Sequence, residues 1–253
     1  MKLTHDTWLI FRRYLGRSLA SPAYIGVSLG QPVLYLILFA PILKSVAQLP
    51  GFPGGGAYNV FVPGLLVQLG LFSVTSGGWA LIAELKAGII ERLRVTPVSR
   101  LSLLLGRSLR DIVVLLLQAL IIIIASVPFG LVIHPVGIVM ALVLMALIAL
   151  LMGAVSYAAA LWLRDENTFG AIVFSATLPL LLLSGVLLPM SLAPHWLQAV
   201  ATLNPLAYAV DAQRALFANH IAEQSVANGF LAIGLLAGAA VVVASRAFGR
   251  VVA

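Results

Sequence analysis

The residue types that could carry out covalent chemistry are sparse and scattered in this sequence. It contains no cysteine, so disulfides, thiolate metal ligands and cysteine nucleophiles are excluded. The histidines His5, His134, His195 and His220 lie in four separate segments, and no two of them have the spacing of helical metal ligands. The G-x-S-x-G motif of serine hydrolases is also absent. We therefore expect no catalytic residue, no bound cofactor and no metal site in this chain.

A phosphate-binding loop for nucleotides is not expected either. Such a loop requires G-x-x-x-x-G-K-[ST], because its lysine reaches the phosphates of the bound nucleotide. The glycine-rich run Gly51–Gly56 contains no lysine. If the function of this chain consumes ATP, the ATP must therefore be bound by another subunit.

The composition indicates an integral membrane protein. Of 253 residues, 62% are hydrophobic and 9% are charged, and the mean hydropathy is +1.10. A soluble domain has about 45–50% apolar and about 25% charged residues. The formal charge of +7 would suggest nucleic-acid binding in a soluble protein. In a membrane protein it is better interpreted as a record of topology and of contact with lipid headgroups.

Uncharged stretches between the charged residues predict six membrane-spanning helices, since about 20 apolar residues cross the hydrocarbon layer. The predicted fold is an all-α integral membrane protein with a single transmembrane domain over residues 1–253. Its expected spans are 25–43, 58–83, 103–127, 136–162, 168–187 and 227–245.

The distribution of basic residues predicts the orientation of these spans. With both termini in the cytoplasm, thirteen of the fifteen Lys and Arg residues lie inside, and only Lys44 and Arg214 lie outside. The first span follows four basic residues and is longer than the apolar region of a signal peptide, so we expect it to remain as a membrane anchor.

Two charged segments on the cytoplasmic side have helical amphipathic patterns. Residues 4–20 place Trp8 and Phe11 on one face, which predicts a helix lying in the membrane interface. A basic flank of the first span is the alternative. Residues 84–96 form a second amphipathic segment, ended by Pro97. Its acids and bases share an exposed face, which favours a protein partner over a simple connector on the membrane surface.

Residues 188–217 are too polar and too rich in proline for a span, yet too apolar for a free loop. Non-helical backbone at membrane depth is tolerated where protein covers it or where it lines a water-filled cavity. We expect a pair of short helices that re-enter the outer leaflet, with an amphipathic external loop as the alternative. Asp211 and Arg214, at i,i+3 spacing, are expected to form a structural ion pair.

Two of these segments resemble a known family. GIIERLRVTPVSRLSLLLGR (Gly88–Arg107) and SGVLLPMSLAPHWLQAVATLNPLAYAVDAQRAL (Ser184–Leu216) are similar to the permease subunits of ABC-2-type exporters. Within that family the chain is most similar to daunorubicin-resistance-type drug and lipid exporters and to their nodulation-factor relatives. The predicted layout of six spans agrees with the family, so the resemblance covers essentially the whole chain.

The resemblance implies roles for particular residues. Residues 84–96 would be the coupling helix that fits a groove of a separate ATPase, and 163–167 would be a second cytoplasmic loop near that ATPase. Residues 192–217 would be a re-entrant hairpin that closes the outer end of the path. The implied ATPase-coupling residues are Glu84, Gly88, Glu91, Arg92, Arg94, Thr96, Pro97, Arg164, Asp165 and Glu166. The implied outer-gate residues are Pro189, Pro194, Trp196, Leu197, Asn204, Pro205, Tyr208, Asp211 and Arg214.

The implied function is export rather than enzymatic catalysis. Two P-loop ATPase copies, which would bind ATP and Mg, and a second identical or related permease would complete a transporter in the bacterial cytoplasmic membrane. The apolar spans favour a hydrophobic or amphipathic cargo such as a drug, lipid or glycolipid. Polysaccharide or lipo-oligosaccharide export and a stand-alone secondary carrier are the alternatives. The lack of ionisable residues in the span centres argues against ion-coupled transport.

Overall fold

The computed structural model describes residues 2–20, 26, 30, 33–38, 57–89, 99–186, 190 and 193–252. Within these residues the chain is helical and contains no strand. The helices are α1 (Lys2–Leu19), α2 (Ala57–Lys86), α3 (Arg100–Ser126), α4 (Pro135–Leu163), α5 (Glu166–Leu183), α6 (His195–Ala201), α7 (Pro205–Phe217) and α8 (Gln224–Val252).

Five of these helices are long and apolar enough to cross a membrane. They are α2, α3, α4, α5 and α8, at the places where the second to sixth spans are predicted. The first predicted span, 25–43, lies mostly outside the described residues, although 33–38 are helical. The chain is therefore a multi-pass membrane protein by its helices, with five candidate spans in the described part.

Side-chain caps and turn residues define where several helices begin and end. Ser99 accepts a hydrogen bond from the backbone N–H of Ser102 (3.1 Å) at the start of α3. Gly130 follows α3 with a φ of 103°, a left-handed conformation that glycine adopts without a steric penalty. Pro135 then occupies the first turn of α4, where its missing N–H leaves no helical hydrogen bond unmade.

Helix α4 lies at the centre of the bundle and packs against α2, α3, α5, α7 and α8. Small residues allow some of these contacts to be very close. A Cβ on Gly70 of α2 would lie 2.5 Å from a methyl group of Ile148 in α4. Helix α1 packs on α3 in the same way, since a Cβ on Gly106 would lie 2.6 Å from a methyl group of Ile10. Close backbone approach at small residues is typical of helices that associate in membranes.

The contacts divide the bundle into two ends. At one, which we call the α1 end, Tyr14 of α1 meets Glu84 near the end of α2 and Arg107 in the second turn of α3. At the other, the α7 end, Arg214 of α7 bonds to the carbonyl of Val60 near the start of α2 (3.1 Å). The segments predicted to be cytoplasmic and described here, including the α4–α5 turn, lie at the α1 end.

Candidate functional site

A buried charged cluster connects α1, α2 and α3 at the α1 end. Glu84 accepts a hydrogen bond from the Tyr14 hydroxyl (2.8 Å) and another from Nη2 of Arg107. The Arg107 guanidinium lies over the Tyr14 ring, 4.6 Å from its centroid, and also donates to the Tyr14 hydroxyl (2.7 Å). Glu84 is 8% exposed and Arg107 is 3% exposed. The pair is therefore withdrawn from water, where breaking it would leave an uncompensated charge.

Tyr14 is held in its neutral, hydrogen-donating form. Burial raises the pKa of Tyr14 to about 12, and the neighbouring Glu84 acts in the same direction while Arg107 opposes it. The hydroxyl therefore stays protonated at neutral pH and can donate to the Glu84 carboxylate. This contact attaches α1 to the end of α2.

A second group of polar side chains continues from this cluster towards the middle of the bundle. Arg110 donates through Nε to the hydroxyl of Ser18 (2.7 Å) and through Nη1 to Asp111 (2.7 Å). The other Asp111 oxygen accepts a hydrogen bond from the hydroxyl of Tyr157 in α4. The two groups together join α1, α2, α3 and α4.

The position of Asp111 corrects one sequence-based expectation. The span centres were expected to lack ionisable residues, but Asp111 lies only four residues from the midpoint of the predicted span 103–127. At 1.5 Å rise per residue it is about 16 Å along α3 from Arg100. Its charge is accommodated because Arg110 and Tyr157 bond to both carboxylate oxygens.

The position of Glu84 corrects another. It was expected on the exposed face of a separate coupling helix beginning at residue 84. Helix α2 instead continues without a break to Lys86, and this turns Glu84 towards Tyr14 and Arg107. Gly88, with a φ of 66°, lies in the turn that follows, where its N–H bonds to the carbonyl of Leu85 (3.1 Å).

The remaining coupling residues expected in this segment, Glu91, Arg92, Arg94, Thr96 and Pro97, lie outside the described residues.

The second segment expected near the ATPase forms a tight turn between α4 and α5. Arg164 has a φ of 54°, and Asp165 caps α5 by accepting from the backbone N–H of Thr168 (2.8 Å). These hydrogen bonds from Thr168 lower the pKa of the Asp165 carboxyl. Glu166 lies 3.2 Å from Nζ of Lys86, and its carbonyl accepts from the Trp79 indole (3.3 Å). The described parts of the two segments implied to couple to an ATPase are thus adjacent at the α1 end.

At the α7 end, the expected pair of short helices is present as α6 and α7. Asn204 caps α7 by accepting from the N–H of Leu206 (3.0 Å) and donates to the carbonyl of Leu180 in α5 (2.8 Å). Pro205 occupies the first turn of α7, and the Tyr208 hydroxyl donates to the carbonyl of Thr202 (3.0 Å). Asn204 therefore fixes the start of α7 against α5.

Arg214 makes different contacts from those expected. It donates to the carbonyls of Val60 (3.1 Å) and Gly185 (2.7 Å), and no close ion pair with Asp211 is found in the described part of the chain. The side chain of Arg214 extends from α7 to one carbonyl near the start of α2 and another just after α5. It therefore links α7 to α2 and to the end of α5. The expected capping ion pair is therefore corrected to a link between helices.

The other gate residues are less involved in packing. Pro194 precedes α6, Trp196 is 68% exposed, and Leu197 is half-buried. Pro189 lies outside the described residues. The structure therefore brings Asn204, Tyr208 and Arg214 into the α7 end and leaves Trp196 on the surface.

Sequence reasoning missed the partners of Glu84 in the charged cluster and the second group of polar side chains that continues from it. They are Tyr14, Arg17, Ser18, Arg107, Arg110, Asp111 and Tyr157. A signal was available in the sequence, since Arg107, Arg110 and Asp111 lie at i,i+3 and i,i+4 spacing, where side chains meet on one helix face. Their grouping was interpreted as topology rather than as a buried cluster.

Within the described ranges, no three His, Asp or Glu side chains are grouped as they would be to hold a metal ion. His5 and His220 each lie close to one acidic neighbour, Asp6 (3.9 Å) and Glu223 (3.6 Å) respectively.

Comparisons with known proteins place the chain among membrane transporters. A family model described as "ABC-2 type transporter" matches residues 5–218. A protein named "Putative transport permease ycf38" from Cyanophora paradoxa is 28% identical over 191 residues, which are 75% of this chain and 66% of that protein. Proteins of the same name from Porphyra purpurea and Pyropia yezoensis are 29% identical over 203 residues, 78% of this chain and 69% of theirs. The chain thus spans about two thirds of the length of these relatives.

Proposed function

Because the chain belongs to the ABC-2 type transporter family, we propose that it is the permease subunit of an ATP-driven exporter. The family makes it a membrane transport subunit rather than an enzyme in itself, and such permeases normally work with an ATPase partner. The proposed cargo is a hydrophobic or amphipathic compound, such as a drug, lipid or glycolipid. The proposed subfamily is that of the daunorubicin-resistance-type and nodulation-factor exporters.

The observation that carries this proposal is the contact between Lys86 and Glu166, 3.2 Å apart. It joins the end of α2 to the start of α5, which are the described parts of the two segments implied to meet an ATPase. A partner that binds at the α1 end would therefore touch both segments at once. The same end carries the basic residues that predict a cytoplasmic location.

The charged cluster offers a route for movement from that surface into the bundle. An ATPase that displaces residues 84–96 would also move the end of α2, where Glu84 holds Tyr14 of α1 and Arg107 of α3. We propose that α1, α2 and α3 respond as one unit when the ATPases close. Access would then alternate from the cytoplasmic side to the outer side.

At the other end, α6 and α7 form the proposed outer gate. The proposed topology has six spans with both termini in the cytoplasm, and α6 and α7 re-enter from the outside. Arg214 and Asn204 hold α7 to α2 and α5. When the gate opens, α7 would either move together with α2 and α5, with these contacts intact, or separate from them as the contacts break.

The proposed assembly contains two permeases and two P-loop ATPases in a bacterial cytoplasmic membrane. The permeases would form a homodimer or pair with a related chain. ATP and Mg would be bound by the ATPases, in keeping with the lack of a phosphate-binding motif in this sequence. A carrier of polysaccharide or lipo-oligosaccharide would have the same assembly and a different cargo.

One observation favours a second candidate, a stand-alone secondary carrier. Asp111 and Tyr157 form a buried pair between α3 and α4, and ionisable groups at such positions serve as relays in ion-coupled transporters. A carrier of this kind would transport its cargo in response to an ion gradient without ATP.

The proposal is tested by purifying the chain with the P-loop ATPase that co-isolates with it and reconstituting both in vesicles. We expect export of a fluorescent phospholipid analogue or of daunorubicin to require ATP and to persist without an ion gradient. Transport that follows a proton gradient without ATP would support the secondary carrier instead.

Within that system, Glu91→Lys should uncouple export from ATP hydrolysis, because it reverses a charge on the implied ATPase contact. Glu223→Lys is the matched control, since it makes the same charge reversal on an exposed residue at the α7 end. Equal export by the Glu91→Lys variant and the parent, with the ATPase still bound, would contradict the coupling role of residues 84–96.

A further inference from the structure

A cleft of about 650 Å³ opens beside the charged cluster, between α1, α2, α3 and α4. Its volume is within the range of about 300–1,000 Å³ that is usual for ligand pockets. One wall is polar and includes Arg17, Arg107 and Arg110, whereas the wall from α2 includes Trp79 and Ala83. The cleft therefore combines three arginine side chains with apolar surface, and Glu84 of α2 also lines it.

The charges at the cleft do not balance. Arg17, Arg107 and Arg110 supply three positive charges, and Glu84 and Asp111 supply two negative charges, which leaves a formal charge of +1. The nearby pair of Lys86 and Glu166 adds no net charge. An anion of single charge would complete the neutralisation of the group.

The two arginines nearest Glu84 differ in their access to the cleft. Nε of Arg107 is buried and has no hydrogen-bond acceptor among the described residues. Arg17 reaches Glu84 only at 3.7 Å, and its side chain is 63% exposed. Arg17 is therefore the accessible donor beside the cleft, and a ligand acceptor that reaches it would gain a charge-assisted hydrogen bond.

The first helix indicates what kind of anion reaches this place. Helix α1 leaves Trp8 and Leu9 largely exposed on its surface and also exposes Arg12 and Arg13. Exposed aromatic and aliphatic side chains next to arginines are typical of a helix lying in the membrane interface. A cleft beside a helix in that position would open at headgroup depth, where phosphate groups of lipids are abundant anions.

We propose that this cleft binds the headgroup phosphate of an anionic phospholipid. Arg17 would donate to the phosphate oxygens, and Arg107 and Arg110 would add positive charge beside them. An acyl chain would lie along the apolar surface that contains Trp79 and Ala83. Bound there, the lipid would neutralise the excess charge and hold α1 against α2 and α3. The site is a property of the permease alone and does not depend on its cargo or on an ATPase.

Trp79 provides a direct reporter because it lines the cleft. Replacing Trp8, Trp162 and Trp196 with phenylalanine leaves Trp79 as the single tryptophan. This protein is placed in phosphatidylcholine vesicles, and its fluorescence is titrated with acyl-brominated phosphatidylglycerol or with acyl-brominated phosphatidylcholine. We expect phosphatidylglycerol to quench Trp79 at lower mole fraction than phosphatidylcholine.

Arg17→Gln should reduce that preference about fivefold, which corresponds to about 1 kcal/mol for one basic residue at a lipid surface. Arg12→Gln is the matched control, because it removes the same charge from the same helix at an exposed residue that does not line the cleft. A preference that falls equally in both variants, or that is absent from the parent, would overturn the proposal.

A second measurement covers the case in which the single-tryptophan protein does not fold. Native mass spectrometry of the otherwise unchanged chain counts phosphatidylglycerol molecules that survive detergent removal. We expect one molecule per chain to be retained by the parent and by Arg12→Gln, and the retained fraction to be clearly lower for Arg17→Gln. Equal retention by all three proteins would again contradict the site.

Discussion

The two ends of the helix bundle are held together by different kinds of contact. At the α1 end, charged side chains from α1, α2 and α3 bond to one another, with Glu84 at the centre. At the α7 end, Arg214, Asn204 and Gln213 donate to backbone carbonyls of neighbouring elements, the last of them to Ala141 (2.9 Å). When helices shift, charged side chains can exchange one partner side chain for another. A hydrogen bond to a backbone carbonyl is kept only while the backbone of the neighbouring helix stays in place.

Close backbone packing reinforces this difference. A Cβ on Gly137 in α4 would overlap the carbonyl oxygen of Leu216 in α7, and one on Gly64 in α2 would overlap that of Val186. Glycine at these two positions permits an approach that no other residue allows. The tight glycine contacts of Gly137 and Gly64 are therefore to backbone carbonyls, whereas that of Gly106 at the α1 end is to the side chain of Ile10, beside the charged cluster.

The largest expected effect comes from breaking the charge compensation. Glu84→Ala should lower the free energy of unfolding by about 3–5 kcal/mol, because it leaves the buried Arg107 without its carboxylate partner. The measurement is unfolding of the purified protein in mixed detergent micelles as the fraction of denaturing detergent is raised. The double variant Glu84→Met with Arg107→Leu should lose less, since it removes both charges. If the double variant loses as much as Glu84→Ala, packing rather than charge holds the α1 end.

A smaller loss is expected from disturbing the backbone packing at the other end. Gly137→Ala should lower stability by about 1–3 kcal/mol, the usual cost of forcing an extra group into a packed interface. Gly234→Ala in α8 is the matched control, because a Cβ there has no heavy atom within 4 Å. The same detergent titration reports both variants. Similar free energies of unfolding for the two alanine variants would show that close backbone packing does not stabilise the α7 end.

The smallest effect is expected from the exposed ion pair at the α1 end. Lys86→Ala should change stability by less than about 1 kcal/mol, because both partners are about half exposed and water screens the pair. The reciprocal exchange of Lys86→Glu with Glu166→Lys should restore any loss seen in a single charge reversal. A loss as large as that of Gly137→Ala would mean that the pair is desolvated in the membrane-bound protein.

The positions of the spans were largely predictable from the sequence. Hydropathy predicted helices at 58–83, 103–127, 136–162, 168–187 and 227–245, and α2, α3, α4, α5 and α8 occupy these places. Long apolar stretches between charges have few other solutions in a bilayer, because every backbone polar group must be bonded within the segment. Residues 188–217 were expected to be too rich in proline for a span, and within them Asn204 caps α7 and Pro205 occupies its first turn.

The packing between helices was less accessible. Gly234 and Gly238 in α8 have the i,i+4 spacing that allows close approach of another helix. Among the described residues, a Cβ on either glycine meets no heavy atom within 4 Å. The close approaches occur instead at isolated glycines such as Gly64 and Gly137. Whether a glycine allows close packing depends on which backbone or side chain lies opposite it, and a local sequence motif does not specify that.

By itself, the sequence determined the class of protein, the places of the spans that the structure describes, and the lack of a nucleotide-binding loop, since these follow from hydropathy and local motifs. Only the tertiary structure decided which charged residues are buried together. In the sequence Glu84 is the first residue of the amphipathic segment expected at 84–96, but Tyr14 is 70 residues and Arg107 is 23 residues away from it along the chain. Local periodicity gives the face of a helix on which a charge lies, but it does not give the distant side chains that will compensate that charge.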